Sequence, residues 1–260
     1  MSTAAVEPLP PIALTTLEDA LVAVEDRLQR GLQHIRSEAL ALGDGRIDNA
    51  AADAFQPALY DLAFTRAELS AARAMVEHAR AAAGREHEGL ATAMAGSFVA
   101  EVVANLRLRI GSRAIDYGMT REGLDAPFTG IIDGVLQEAG SARALEALGA
   151  LLVARDGDTG PVDLPEEKQM MAATFHRFGE EVVMPLAEDI HRQDRTIPDV
   201  IIDGVRDLGC FGLSVPERFG GLLPDDGEDS LGMIVATEEL SRASLGAAGS
   251  LITRPEIMAR

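Results

Sequence analysis

The chain has 260 residues, of which 47% are hydrophobic, with no Trp, 2 Tyr and 8 Phe. Its formal net charge of −19 repels a polyanion over most of its surface, which disfavours nucleic-acid binding. The length suffices for two modest domains, and a single cysteine, Cys210, excludes an internal disulfide.

A core with so few aromatic rings must be assembled from Leu, Ile, Val, Ala and Met, and an Ala- and Leu-rich composition favours helix. Residues 1–12 are small and Pro-rich and read as a flexible tail. Thr16 is placed to cap a first helix, with Asp19 near its third position and Leu17, Leu21, Val24, Leu28 and Leu32 at helical spacing. Gly43, Asp44 and Gly45 stop it. A second helix is predicted over 56–83. Its Leu62, Leu69 and Val76 repeat every seven residues, with Ala72 and Ala79 small enough for close antiparallel packing. A third begins near His87, carries Val99, Val102, Val103, Leu106 and Ile110, and frays through Gly111 and Ser112 to Tyr117 and Gly118. A fourth spans 131–153, weakened by Gly134, Gly140 and Gly149.

Two Gly, two Asp and a Pro within residues 155–161 cannot continue a helix. The expected boundary falls there: a helical extension over 13–154, a linker over 155–164 and a second helical domain over 165–260. That domain opens with a helix over 166–192, striped by Met171, Phe175, Phe178, Val182, Leu186 and Ile190 and interrupted by Pro185. Thr196 can cap the next helix, with Pro198 in its first turn and Val200, Ile201, Val205 and Leu208 on its buried side. Gly209 suits the position just past its end. Residues 216–221 form a turn and 225–229 an acidic loop. Asp229 or Ser230 then caps a helix that is apolar on nearly all sides (Met233, Ile234, Val235, Ala236, Leu240) and so is expected to be buried.

Few residues point to chemistry. Arg107, Arg109 and Arg113 form the one basic run, read as a solvated helix face. The acidic loop is too compact for a calcium loop. His78, Glu86, His87 and Glu88 lack metal-ligand spacing, and no metal site is expected. No glycine-rich phosphate loop or serine elbow is present. Cys210 sits in an apolar run and reads as a packing residue. Glu238 and Glu239 in an apolar helix could include a raised-pKa base, but Arg242, one turn on, favours an ion pair. The small-residue stretch 241–250 fits either a helix–helix contact or a slot for a thin acyl chain. The N-terminus lacks a basic segment followed by an apolar one, and no stretch reads as a membrane span. A cytoplasmic protein with no membrane partner is expected.

The order of these elements resembles the N-terminal helical domain of flavin-dependent acyl-CoA dehydrogenases. Residues 178–194 look like the family's opening helix with its internal Pro. Leu208 to Leu213, followed by Pro216-Glu217-x-x-Gly220-Gly221, resemble its leucine-glycine segment and turn. Glu238, Glu239, Leu240, Ser241 and Arg242 look like the start of the helix lining the acyl pocket. Residues 250–257 and the long extension look most like the branch that oxidises methylsuccinyl-CoA. In the first half, 61–80 and 97–119 look like helices of the family's C-terminal bundle. Gly111, Ser112, Arg113 and Ala114 stand where a flavin-contacting Gly-Gly-x-Gly would follow, implying a degenerate, non-catalytic bundle.

The resemblance implies an all-α chain that walls the acyl pocket through Ser244, Ala247, Ala248 and Leu251. In this family a carboxylate removes the α-proton while the β-hydride passes to flavin. FAD, the β-domain that holds it and the C-terminal bundle would complete the enzyme, which the resemblance makes a homo-oligomer acting on an acyl-CoA. The chain looks truncated, and by itself it is expected to bind no flavin and turn nothing over. The competing expectation is a non-enzymatic acidic helical protein that binds a partner through its Ala- and Gly-rich helices.

Overall fold

The computed structural model describes residues 12–259 apart from 226 and 228, and every regular element among them is helical. The chain divides into two compact units, the first ending at Pro161 and the second beginning at Val162. The tail expected over 1–12 lies outside the described residues as far as residue 11. Ile12 instead packs on the core of the first unit.

The first unit comprises α1 (Leu14–Leu42), α2 (Asn49–Asp53), α3 (Gln56–Ala81), α4 (Glu88–Gly111), α5 (Arg121–Asp125), α6 (Ile131–Ala139) and α7 (Ala142–Ala154). The N-cap of α1 is Ala13, three residues before the expected cap Thr16, with no capping side chain. Ile12 and Leu14 both pack on the core. Burying two aliphatic side chains, at roughly 1.5–3 kcal/mol each when complete, outweighs the ~1 kcal/mol of a Thr cap. The α1 stripe also runs differently from expectation. Leu17, Leu21, Val24 and Leu28 are buried, but the stripe continues through Gly31 and Ile35, leaving Leu32 exposed. A Cβ on Gly31 would stand 3.3 Å from Tyr117, so glycine admits the tyrosine ring.

α3 buries Leu62, Leu69, Ala72, Val76 and Ala79 as predicted, and α4 buries Val99, Val102, Val103, Leu106 and Ile110. α4 does not fray into solvent. Its end turns into a 3-10 segment, Ala114–Tyr117, and Tyr117 is among the largest fully buried side chains. Burial, with Asp61 nearby, pushes its hydroxyl pKa up to about 12. The predicted fourth helix is two helices, because Gly140 ends α6 and the Ser141 hydroxyl accepts from Ala144 N–H at 3.3 Å to begin α7. Among the described residues α4 is the one helix long and apolar enough to cross a membrane by length and composition, whereas sequence reading found no such span. Polar Thr92, Ser97, Glu101 and Asn105 interrupt it, and its apolar residues fill the core of the bundle.

Ion pairs tie the rims of α1, α3 and α4. Glu25 on α1 receives both Arg66 and Arg73 from α3, and Glu18 receives Arg80. The order of these partners runs α1 and α3 antiparallel. The basic run of α4 is also paired rather than freely solvated. Arg107 bonds Asp125 at 2.9 Å, Arg109 grips Glu68 at 2.6 and 3.3 Å, and Arg113 pairs with the buried Asp61.

The second unit comprises α8 (Glu166–Phe178), α9 (Met184–Arg192), α10 (Asp199–Asp207), α11 (Ser230–Ser244) and α12 (Ser250–Ala259). A π turn, Gly179–Val183, joins α8 to α9. Pro185 cannot donate and crowds the preceding carbonyl. The wider turn just before it makes room, and the Met184 N–H reaches back to the Gly179 carbonyl. α10 begins after Pro198, which is extended at φ −65° and ψ 146°, with no side-chain cap. Thr196 is therefore two residues too early to reach the free N–H groups. Ile201 and Val205 are buried, but Val200 faces outward. Gly209 takes the left-handed conformation expected just past the helix, at φ 74°.

Candidate functional site

The core of the second unit is small: Phe175, Val183, Ile201, Val205, Cys210, Ala236, Leu240, Ala243, Ala247, Ala248 and Ile252. Close backbone approach sets its geometry. A Cβ on Gly179 would stand 3.0 Å from the Ala243 methyl, and one on Gly204 would stand 2.3 Å from the Phe178 ring. These two glycines let α8 and α9 cross α11, and let Phe178 seat against α10. Burial pushes the Cys210 thiol up to about 12, so at neutral pH it is a packing group and not a nucleophile.

The turn between α10 and α11 folds back on itself. Leu222 N–H donates to the Gly212 carbonyl at 2.9 Å, Leu223 N–H to Val215 at 3.0 Å and Glu217 N–H to Leu223 at 2.9 Å. Asp226 and Glu228 of the acidic loop lie outside the described residues. The loop's other carboxylates are engaged rather than simply solvated. Asp225 accepts from Arg218 at 3.2 Å. Asp229 accepts from Gly232 N–H at 2.9 Å, capping α11, and from Lys168 Nζ at 2.6 Å. Burial pushes the Asp229 pKa up, but Lys168 and the Gly232 N–H pull harder and hold it below the ordinary carboxylate range.

α11 is not buried all round. Gly232, Val235, Ala236, Leu240 and Ala243 face the core, whereas Ile234 is 59% exposed and Leu231 is also outward. The apolar composition of this helix therefore exceeds what its own unit buries. Periodicity could have flagged the surplus, since Leu231 and Ile234 lie one turn apart and off the Val235–Leu240 face.

Glu239 lies in an ion-pair cluster on the α8–α11 crossing. Arg242 Nε donates to it at 3.1 Å and His176 Nδ1 lies 2.9 Å away. Arg242 also donates to Glu180 at 2.9 Å. Its pKa is raised by the Glu180 hydrogen bond first and the Glu239 bond second. Glu238 is exposed. The expected ion pair with Arg242 is thus made by Glu239, and Glu238 takes no part in the cluster described. Among the described residues no group of three or more His, Cys, Asp or Glu could hold a metal ion.

The stretch expected to wall an acyl pocket is a bend followed by a second π turn. Ser244 is extended, and its hydroxyl accepts from Ala247 N–H at 3.2 Å, opening the turn Leu245–Gly249. Ala247 and Ala248 are buried at 1% and 0% exposure, packed within the unit's own core. Ser244 and Leu251 remain half-exposed, and Leu245 between them points outward. A Cβ on Gly249 would stand 2.4 Å from Ser241 Oγ, a buried hydroxyl without a hydrogen-bond partner. The small residues thus serve close packing on their inner side, while Leu245 and Gly246 are exposed on the outer side.

In the first unit, the segment expected to correspond to a flavin-contacting loop does not form a cradle. Gly111 is buried, with a Cβ there 3.3 Å from Leu124, and Arg113 is committed to Asp61.

Residues 165–259 match the family described as acyl-CoA dehydrogenase, N-terminal domain, and the chain carries that domain in its second unit. It is 32% identical over 262 residues to (2S)-methylsuccinyl-CoA dehydrogenase of Cereibacter sphaeroides, a match covering 97% of this chain and 46% of that protein. Short-chain specific acyl-CoA dehydrogenase, mitochondrial, of Sus scrofa is 34% identical over 81 residues, covering 31% of this chain and 18% of its own length. A probable acyl-CoA dehydrogenase of Bacillus subtilis is 32% identical over 83 residues, 32% of this chain and 13% of its own length. The chain thus spans about half the length of the first of these relatives and less of the others.

Proposed function

We propose that this chain supplies the N-terminal helical part of a flavin-dependent acyl-CoA dehydrogenase that oxidises a short, branched acyl-CoA, with methylsuccinyl-CoA as its substrate. The supporting observation is the reach of the similarity. The short-chain relative matches only 81 residues, whereas the methylsuccinyl-CoA relative matches 97% of this chain, including the helical extension. In this reading the second unit walls the acyl pocket. Ser244 and Leu251, both half-buried, line that wall, and Ala247 and Ala248 hold the π turn tightly behind it. FAD and the catalytic base come from outside the residues described here, and no step of the reaction passes through Glu238, Glu239 or Cys210. The domain division of this reading is an extension over 13–154, a linker over 155–164 and a pocket-walling domain over 165–260.

The test is kinetic. In the flavin-loaded enzyme that contains this chain, Leu251→Trp and Ser244→Trp enlarge the two half-buried wall residues. A wall residue acts mainly on binding, so the KM for methylsuccinyl-CoA is expected to rise by about tenfold or more with kcat changed little, as for the loss of uniform binding. Unchanged KM in both variants contradicts the wall assignment. Failure of the loaded wild-type enzyme to oxidise any acyl-CoA contradicts the functional reading itself.

A further inference from the structure

Of the 23 Lys and Arg residues in this chain only Lys168 is a lysine. The distinction matters to a protein that meets acyl thioesters. A guanidinium stays charged at any physiological pH, whereas a neutral lysine amine is a nucleophile that attacks a carbonyl. The side chains of this sequence therefore offer an acyl-CoA one amine to acylate.

That amine is placed unlike its neighbours. Glu166, Glu167, Gln169 and Met170 at the start of α8 are exposed, but Lys168 turns inward, and its side chain is only 12% exposed. Lysine is ordinarily among the most exposed residues. Its Nζ lies 2.6 Å from Asp229 Oδ2 and 3.2 Å from Glu167 Oε1. Glu167 stands out in solvent, which leaves Asp229 as the partner that fixes the ammonium. Asp229 is fixed in turn, because its Oδ1 accepts from Gly232 N–H at 2.9 Å. One carboxylate thus caps α11 with one oxygen and covers the ammonium with the other. The hydrogen bond to Asp229 raises the Lys168 pKa against the opposing effect of burial, and only the neutral amine is nucleophilic.

We propose that Lys168 is a latent acyl-acceptor site and that Asp229 guards it against acyl thioesters. In the reaction held back, the Nζ lone pair attacks the thioester carbonyl carbon, the C–S bond breaks, CoA leaves as its thiolate and the amine's proton passes to solvent. The amide so formed carries no charge, and Asp229 loses its partner at the point where α11 begins. The guard therefore preserves the join between the starts of α8 and α11. That an acyl-CoA is the reagent the chain meets rests on the proposed function, whereas the low reactivity of the amine does not.

Peptide-level mass spectrometry of Lys168 acylation tests this. The whole chain is incubated with acetyl-CoA or with methylsuccinyl-CoA, and Nα-acetyllysine in the same solution serves as the unguarded reference. Lys168 is expected to react about tenfold or more slowly than the reference, with its rate rising at higher pH than the reference's. Asp229→Asn keeps a cap for Gly232 but sets a neutral amide beside the ammonium. It is expected to bring the rate most of the way to the reference with circular dichroism unchanged. If that variant unfolds, the displaced pH profile of the wild-type chain decides instead. Wild-type Lys168 reacting as fast as the reference overturns the proposal. So does a folded Asp229→Asn no faster than wild type, or a pH profile that coincides with the reference's. None of these rates depends on turnover. A guarded Lys168 in an enzyme that oxidises no acyl-CoA leaves this inference standing and contradicts only the functional reading.

Discussion

The first unit builds its core with helices of 29, 26 and 24 residues, whose aliphatic stripes face one another and whose rims are pinned by arginine–carboxylate pairs. The second unit works with helices of 9 to 15 residues, two π turns and glycines placed where backbones touch. Both units leave large apolar side chains facing outward, Val22, Leu32 and Leu108 on the long helices and Leu231, Ile234 and Leu245 on the short, bent stretch; what differs is how each core is closed. The contrast fits a division of labour in which one unit is a scaffold and the other shapes a surface for something else to complete. π turns are a common device for that purpose, because they re-aim side chains in mid-helix.

Each unit carries its own probe, so the comparison can be broken experimentally. Both tyrosines, Tyr60 and Tyr117, lie in the first unit, and the single thiol, Cys210, in the second. Leu106→Ala and Leu240→Ala each empty a fully buried leucine site and are expected to cost about 2–5 kcal/mol. The first should shift the tyrosine-fluorescence transition in urea, and the second should advance Cys210 labelling by a thiol reagent. If both probes move together for both variants, the two units unfold as one.

A smaller effect is expected where the second unit relies on glycine. Gly204→Val forces a side chain onto the Phe178 ring and should cost about 1–3 kcal/mol by overpacking, read by Cys210 labelling. In the first unit, Arg113→Ala leaves Asp61 buried without its partner. Arg113 is itself partly exposed, so the loss is expected to be only about 1–2 kcal/mol, read by tyrosine fluorescence.

Acid distinguishes the second unit's start from the rest of its fold. Asp229 is held below its ordinary value, so its contribution is complete above the unfolded carboxylate pKa and is lost as pH falls through the folded one. Lys168 is raised, first by its hydrogen bond to Asp229, so its contribution is complete below the unfolded lysine pKa and lost as pH rises through the folded one. Lys168→Met should therefore be less stable than wild type near neutrality and converge with it in strong acid. A gap that persists with Asp229 protonated would mean the pair is not its source. The smallest effect is expected at Thr196→Ala, within about 0.5 kcal/mol, since Thr196 caps nothing.

Much of this was legible in the residues. The seven-residue repeat of Leu62, Leu69 and Val76 and the valine run of α4 specify buried faces, because helical period alone decides which side chains share a side. The all-α class and the family resemblance rest on such local patterns. What escaped was non-local. Tyr117 looked like a fraying end because its burial depends on Gly31 of α1. Arg109 and Arg113 looked solvated because their partners Glu68 and Asp61 lie 41 and 52 positions earlier. Helix starts at Leu14 and Asp199 were set by burial of Ile12 and Leu14 and by Pro198, not by the nearby threonines. At the candidate site, the small-residue stretch 241–250 includes Gly249, whose backbone closely approaches Ser241. That Ala247 and Ala248 turn inward while Leu245 faces out follows from the bend at Ser244, which no local preference of serine dictates.

In the proposed function this chain shapes an acyl pocket while flavin and base come from elsewhere. The visible absorption spectrum of the purified chain, recorded before and after addition of methylsuccinyl-CoA, tests that most directly. The account predicts no flavin band near stoichiometry with the polypeptide and no change on adding the thioester. A near-stoichiometric flavin band that bleaches when the acyl-CoA is added would contradict it.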